Sequence, residues 1–86
     1  GVAFGNNASV AVGDNGTIVR STDNGTNWDN ATSPTANYLI EVGFGNNTFV
    51  AVGSSGNIVR SSDNGSSFDN ATSPSSKHLW GVVFQE

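Results

Sequence analysis

Cysteine and methionine are both absent from the 86 residues. Without cysteine the chain has no disulfide, no thiolate nucleophile and no zinc–thiolate centre. A single histidine excludes a multi-histidine metal site within one copy. Cations are scarce: three Lys and Arg stand against seven Asp and Glu, a formal net charge of −4. That balance excludes a polybasic surface, so no nucleic-acid or anionic-lipid partner is expected. No apolar run approaches the roughly 18 residues of a spanning helix, so no membrane segment is expected. No basic stretch followed by an apolar one opens the residues, and no targeting peptide is expected among them. Hydrophobic residues amount to 35%, which leaves a chain of this size little core of its own.

What the chain does contain is itself, twice. Residues 1–40 align with 41–80 at a constant offset of 40 without a gap, and 24 of the 40 pairs are identical. Val10-Ala11-Val12-Gly13 falls on Val50-Ala51-Val52-Gly53, and Ile18-Val19-Arg20-Ser21 falls on Ile58-Val59-Arg60-Ser61. Gly81-Val82-Val83-Phe84 echoes Gly1-Val2-Ala3-Phe4, so residues 81–86 open a third copy. Such register is the mark of a repeat array and sets disorder aside despite the Ser, Thr, Asn and Gly content.

Within each period, Gly-Asn-Asn, a Gly-terminated tripeptide and Asp-Asn-Gly punctuate short apolar segments. Gly and Asn tolerate the positive φ of tight turns. The segments between them, 39–44, 49–53, 57–61 and 67–70, are rich in Val, Ile and aromatics, as strands are. Four strands joined by three tight hairpins are expected, followed by a polar crossover over 71–78 containing Pro74. No segment has helical apolar spacing. Val50-Ala51-Val52 and Ile58-Val59 are apolar at successive positions, so both faces of each sheet are expected to be covered. An all-β chain of two four-stranded β-propeller blades, 1–40 and 41–80, satisfies this pattern.

The third hairpin of each period reads Ser-x-Asp-x-Gly-x-x-aromatic: Ser21, Asp23, Gly25 and Trp28, then Ser61, Asp63, Gly65 and Phe68. The carboxylate suits the amides of its own turn, the glycine a conformation closed to side chains, and the aromatic a place between sheets. These eight residues are read as structural. The pattern resembles the Asp-box, or bacterial neuraminidase repeat. With the upstream Val12-Gly13-Asp14-Asn15-Gly16-Thr17-Ile18-Val19-Arg20, it is similar to blades of the photosystem II assembly and stability factor family and its bacterial relatives. The resemblance covers essentially the whole chain and implies a propeller. It also implies an extracellular, periplasmic or lumenal setting for a natural chain. Asn27 stands where the box usually has Thr or Ser, and Phe68 where it usually has Trp.

Two blades leave two apolar sheet faces uncovered, and repeat arrays generally need about three units or more. Homo-oligomerisation into a head-to-tail ring is therefore expected, with six blades from a trimer preferred over eight from a tetramer. Strand 79–84 is the fuller copy of 1–4. It is expected to close the ring by completing the first blade of a neighbouring chain, displacing residues 1–4.

Catalysis is not expected. Sialidases on such propellers need an arginine cluster, a tyrosine nucleophile and acidic partners. Arg20 and Arg60 are repeat equivalents rather than a cluster, and the remaining candidates are Tyr38, Glu41 and Glu86. No phosphate loop or nucleophile elbow occurs, Asp-Asn-Gly lacks the other spacing of a calcium loop, and no metal or cofactor is expected. The reading reached is a scaffold or protein-interaction module. The near-identity of the repeats also fits recent duplication, or an engineered or excised propeller fragment. The alternative is a lectin-like propeller binding glycans between blades, with Tyr38, His78, Trp80, Arg20 and Arg60 as candidate ligand residues.

Overall fold

The computed structural model describes residues 1–31, 33–45, 47–71 and 79. Among them lie two four-stranded antiparallel sheets and no α-helix. The first sheet is β1 (Val2–Gly5), β2 (Ala8–Val12), β3 (Ile18–Ser21) and β4 (Asp29–Asn30), in that order. The second is β5 (Leu39–Gly45), β6 (Thr48–Gly53), β7 (Ile58–Ser61) and β8 (Asp69–Asn70). Arg20 opposes Val10 and Asp29, and Arg60 opposes Val50 and Asp69, so one register is built twice.

The connections follow from residues that accept left-handed backbone. Asn6 and Asn7, at φ 51 and 62, form the two-residue link between β1 and β2, the geometry that matches strand twist. Between β2 and β3 a 3-10 turn, Asp14–Gly16, carries Asn15 at φ 57 and Gly16 at φ 71. Its counterpart Ser54–Gly56 keeps the shape with Ser55 at φ 60.

The third connection departs from the tight hairpin expected. Residues 22–28 and 62–66 form loops, Ser67 keeps only an isolated bridge, and the last strand shrinks from the expected 67–70 to Asp69–Asn70. The cause is local competition. The amides of Asn27 and Ser67 bond to the carboxylates of Asp23 and Asp63, at 2.9 and 3.1 Å, and are lost to the ladder.

The sheets stack with opposite faces together. Strand alternation and register put Ala8, Val10, Ile18 and Arg20 on one face of the first sheet. On the second sheet the face turned inward carries Val42, Phe44, Phe49, Ala51 and Val59, the other parity of the same repeat. Buried residues from both sets, with Leu39 and Phe68, make one core. Phe44 and Phe49 tilt against each other at 4.7 Å, and the Phe44 ring fills the space over Gly5. Polar ties cross the junction as well. Leu39 N–H donates to the Gly13 carbonyl at 3.0 Å, and Asn6 Nδ2 to Asn47 Oδ1 at 3.0 Å.

Candidate functional site

The most organised polar structure among the described residues is the pair of Ser-x-Asp-x-Gly loops. In the first, buried Ser21 Oγ donates to Asp23 Oδ1 at 2.8 Å and accepts from Gly25 N–H at 2.9 Å. Asp23 Oδ1 accepts from Asn27 N–H, and Oδ2 from Asn27 Nδ2 at 2.9 Å. The second loop repeats this. Ser61 Oγ donates to Asp63 Oδ1 at 2.6 Å and accepts from Gly65 N–H at 2.9 Å, and Ser67 Oγ donates to Asp63 Oδ2 at 2.5 Å. Gly25 and Gly65 stand at φ +85 and +86, a conformation that side chains rarely adopt.

These bonds hold both carboxylates ionised. Asn27's amide, then its side chain and Ser21, pull Asp23 down from 3.8 to about 2. Ser61's hydroxyl, then the side chain and amide of Ser67, bring Asp63 to about 2. A carboxylate so committed to donors of its own turn is a poor proton carrier near neutrality. Glu41 Oε1 accepts from Val42 N–H at 3.0 Å. Among the described residues no three His, Cys, Asp or Glu gather as a metal would need.

The two loops differ in what lies against them. Phe68 is 2% exposed, inside the core, whereas Trp28, in the corresponding place, is 41% exposed. Trp28 donates its indole N–H to the Gly25 carbonyl at 3.0 Å. Val2 and Phe4 are 64% and 62% exposed, while Val42, one period on, is 4% exposed. The arginines part in the same way. Arg20 Nε donates to the Asn64 carbonyl at 2.7 Å, tying the first sheet to the second loop. Arg60 is exposed and has no hydrogen-bond partner among the described residues.

Of the other candidate ligand residues, Tyr38 is exposed at the crossover, and its carbonyl accepts from Ser54 N–H at 2.9 Å. Asn57 Nδ2 donates to Thr35 Oγ1. Tyr38, Arg20 and Arg60 are not brought together; Arg20 and Arg60 lie in separate sheets. His78, Trp80 and Glu86 lie outside the described residues. Sequence reasoning did not foresee the Asn64 carbonyl as the acceptor of Arg20, because every residue carries a carbonyl and only packing selects one.

Compared with known proteins, the chain matches no family model, no curated protein and no solved structure.

Proposed function

We propose that this chain is a non-enzymatic scaffold or protein-interaction module, built as two Asp-box blades of a β-propeller that closes by association with copies of itself. The observation that carries this reading is the way the sheets meet. The first repeat offers one face to the second, the second meets it with the opposite face, and the first repeat's own copy of that opposite face is open at Val2, Phe4 and Trp28. Stacking of this kind repeats around an axis, which is how propellers satisfy their faces. A trimer would supply six blades and a tetramer eight. Rigid rings presenting equivalent loops at every blade suit multivalent engagement of a protein client.

The roles of Asp23 and Asp63 are structural in this reading, since their oxygens are occupied by Asn27, Ser21, Ser67 and Ser61. Native mass spectrometry across concentration tests the proposal. The expected particle weighs three times the 8.8 kDa chain. A lone 8.8 kDa particle that melts cooperatively overturns it.

A lectin-like reading rests on Tyr38, whose side chain is half-exposed at the crossover and whose carbonyl accepts from Ser54 N–H at 2.9 Å. Apolar ring faces beside amides and hydroxyls suit the two sides of a pyranose. A glycan array decides this reading, and silence at millimolar sugar removes it.

A further inference from the structure

One repeat sequence occurs here in two surroundings, and the contrast defines what the first copy's loop is shaped to receive. At the internal junction, Arg20 reaches from β3 and donates Nε–H to the Asn64 carbonyl at 2.7 Å. The arginine stem and Val10 lie against Gly65. A Cβ there would stand 2.9 Å from Val10 Cγ2 and 3.4 Å from Arg20 Cδ. Phe68 is buried beside them. Every one of these residues has an identical or aromatic counterpart one period away. Asn24 and Gly25 match Asn64 and Gly65, Trp28 matches Phe68, and Val50 and Arg60 match Val10 and Arg20.

The counterparts are unpaired in complementary halves. The space over Gly25 is open, its virtual Cβ meeting only Trp28 at 3.7 Å. Trp28 and Asn24 are exposed, and Asn24 keeps the left-handed φ of 62 that matches Asn64 at 66. At the far side of the chain Arg60 is exposed and without a hydrogen-bond partner among the described residues. The loop backbone is therefore already in its bonded shape on one side, and the guanidinium that fits it is free on the other. Both halves cannot meet within one chain, because they lie on opposite outer faces of two stacked sheets.

Resting on the self-association proposed above, we infer that Arg60 of one chain docks on the 23–28 loop of a second copy, donating Nε–H to the Asn24 carbonyl. Val50 and the Arg60 stem cover Gly25, and Trp28 becomes buried as Phe68 is. The contact is heterologous: the loop of the first repeat meets the β7 face of the second, and neither patch pairs with itself. Growth by this contact closes into a ring or runs on as a filament, and never stops at a two-fold dimer. The partner is thus a second copy of this chain, chosen by a template that the chain itself contains.

The test uses the full chain and three readouts. Native mass spectrometry gives the assembly strength of the wild type and of Arg60→Ala. Hydrogen exchange on the assembled wild type gives the protection of the 21–28 segment. Circular dichroism checks that Arg60→Ala, altered at an exposed and unbonded side chain, keeps the β fold. The expected result is protection of 21–28 that rises with assembly, and self-association weakened roughly tenfold or more in Arg60→Ala at unchanged secondary structure. An assembled wild type whose 21–28 segment exchanges freely, or an Arg60→Ala chain that assembles as strongly, overturns the docking and leaves self-association standing. A wild type that stays a single chain at every concentration overturns both.

Discussion

Asp23 and Asp63 show how much a single carboxylate can do for a loop. Each takes its own turn's donors and is held ionised, with its acidity strengthened to about 2. A carboxyl whose folded pKa is depressed adds stability that is fully present above its unfolded value, near 3.9, and lost as the pH falls towards the folded one. Melting temperature is therefore expected to hold above pH 5 and to fall between about pH 4 and 2. Asp23→Asn with Asp63→Asn should flatten that slope while lowering stability at neutral pH, and an unchanged slope would remove the carboxylates as its cause. The glycines permit a second comparison. Gly25→Ala meets only the left-handed backbone penalty, about 1–2 kcal/mol. Gly65→Ala meets that penalty and Val10 Cγ2 at 2.9 Å, so it should cost at least about 1 kcal/mol more. Equal losses in denaturant titrations would mean that the junction around Gly65 is looser than described. At this scale the sequence was readable in part. The Ser-x-Asp-x-Gly spacing points to a carboxylate facing its own turn and a left-handed glycine, because both act locally, whereas the serine hydroxyl that bridges Asp23 and Gly25 was not read from it.

Strands and loops were readable in kind and less so in extent. The left-handed pairs at Asn6-Asn7 and Asn15-Gly16 mark turns by chemistry alone. The strand β5, Leu39–Gly45, follows from Leu39, Ile40, Val42 and Phe44, which outweigh the single Glu41 among them. The fourth strand of each sheet was overestimated because Asn27 and Ser67 look like strand residues until their amides are seen on a carboxylate. The loop aromatic was read as lying between sheets in both repeats, and what that reading did not separate is the two copies: Trp28 and Phe68 hold equivalent positions, and only the presence or absence of a preceding sheet separates 41% from 2% exposure. A direct consequence concerns truncation in dilute chain. Phe68→Ala removes a ring from the core and should cost about 3–5 kcal/mol. Trp28→Ala removes a half-exposed ring with one hydrogen bond and should cost about 1–2 kcal/mol. Chemical denaturation at low concentration measures both, and a Trp28→Ala loss equal to that of Phe68→Ala would contradict the open face.

For the molecule as a whole, the two-repeat plan follows from the offset of 40, and the stacking of opposite faces explains why successive apolar residues occur in β6 and β7. The ends bear on how copies join. The displacement of residues 1–4 is expected only where a neighbouring chain is present, and in the single chain they keep their own strand. β1 pairs with β2 from Val2 to Gly5, and Val12 N–H donates to the Gly1 carbonyl at 2.9 Å. Leu79, meanwhile, donates its N–H to the Gly53 carbonyl at 2.9 Å, the bond that Leu39 makes to Gly13 at 3.0 Å on entering the second sheet. At Leu79 the second sheet thus receives the same bond that the first receives at Leu39. In an assembled ring, the segment from Leu79 and the neighbouring chain's β1 compete for one position. The longer segment, 79–84, has the leading Leu-Trp pair that residues 1–4 lack. The extra anchor, together with the Gly53 bond, should let it win and lace successive chains. Deleting residues 79–86 is therefore expected to lower the concentration-dependent melting temperature and shift the native mass towards single chains, since binding to the folded state alone carries that stability. An assembly of unchanged mass and melting temperature after the deletion would show that β1 keeps its place and that the contacts between sheet faces close the ring unaided.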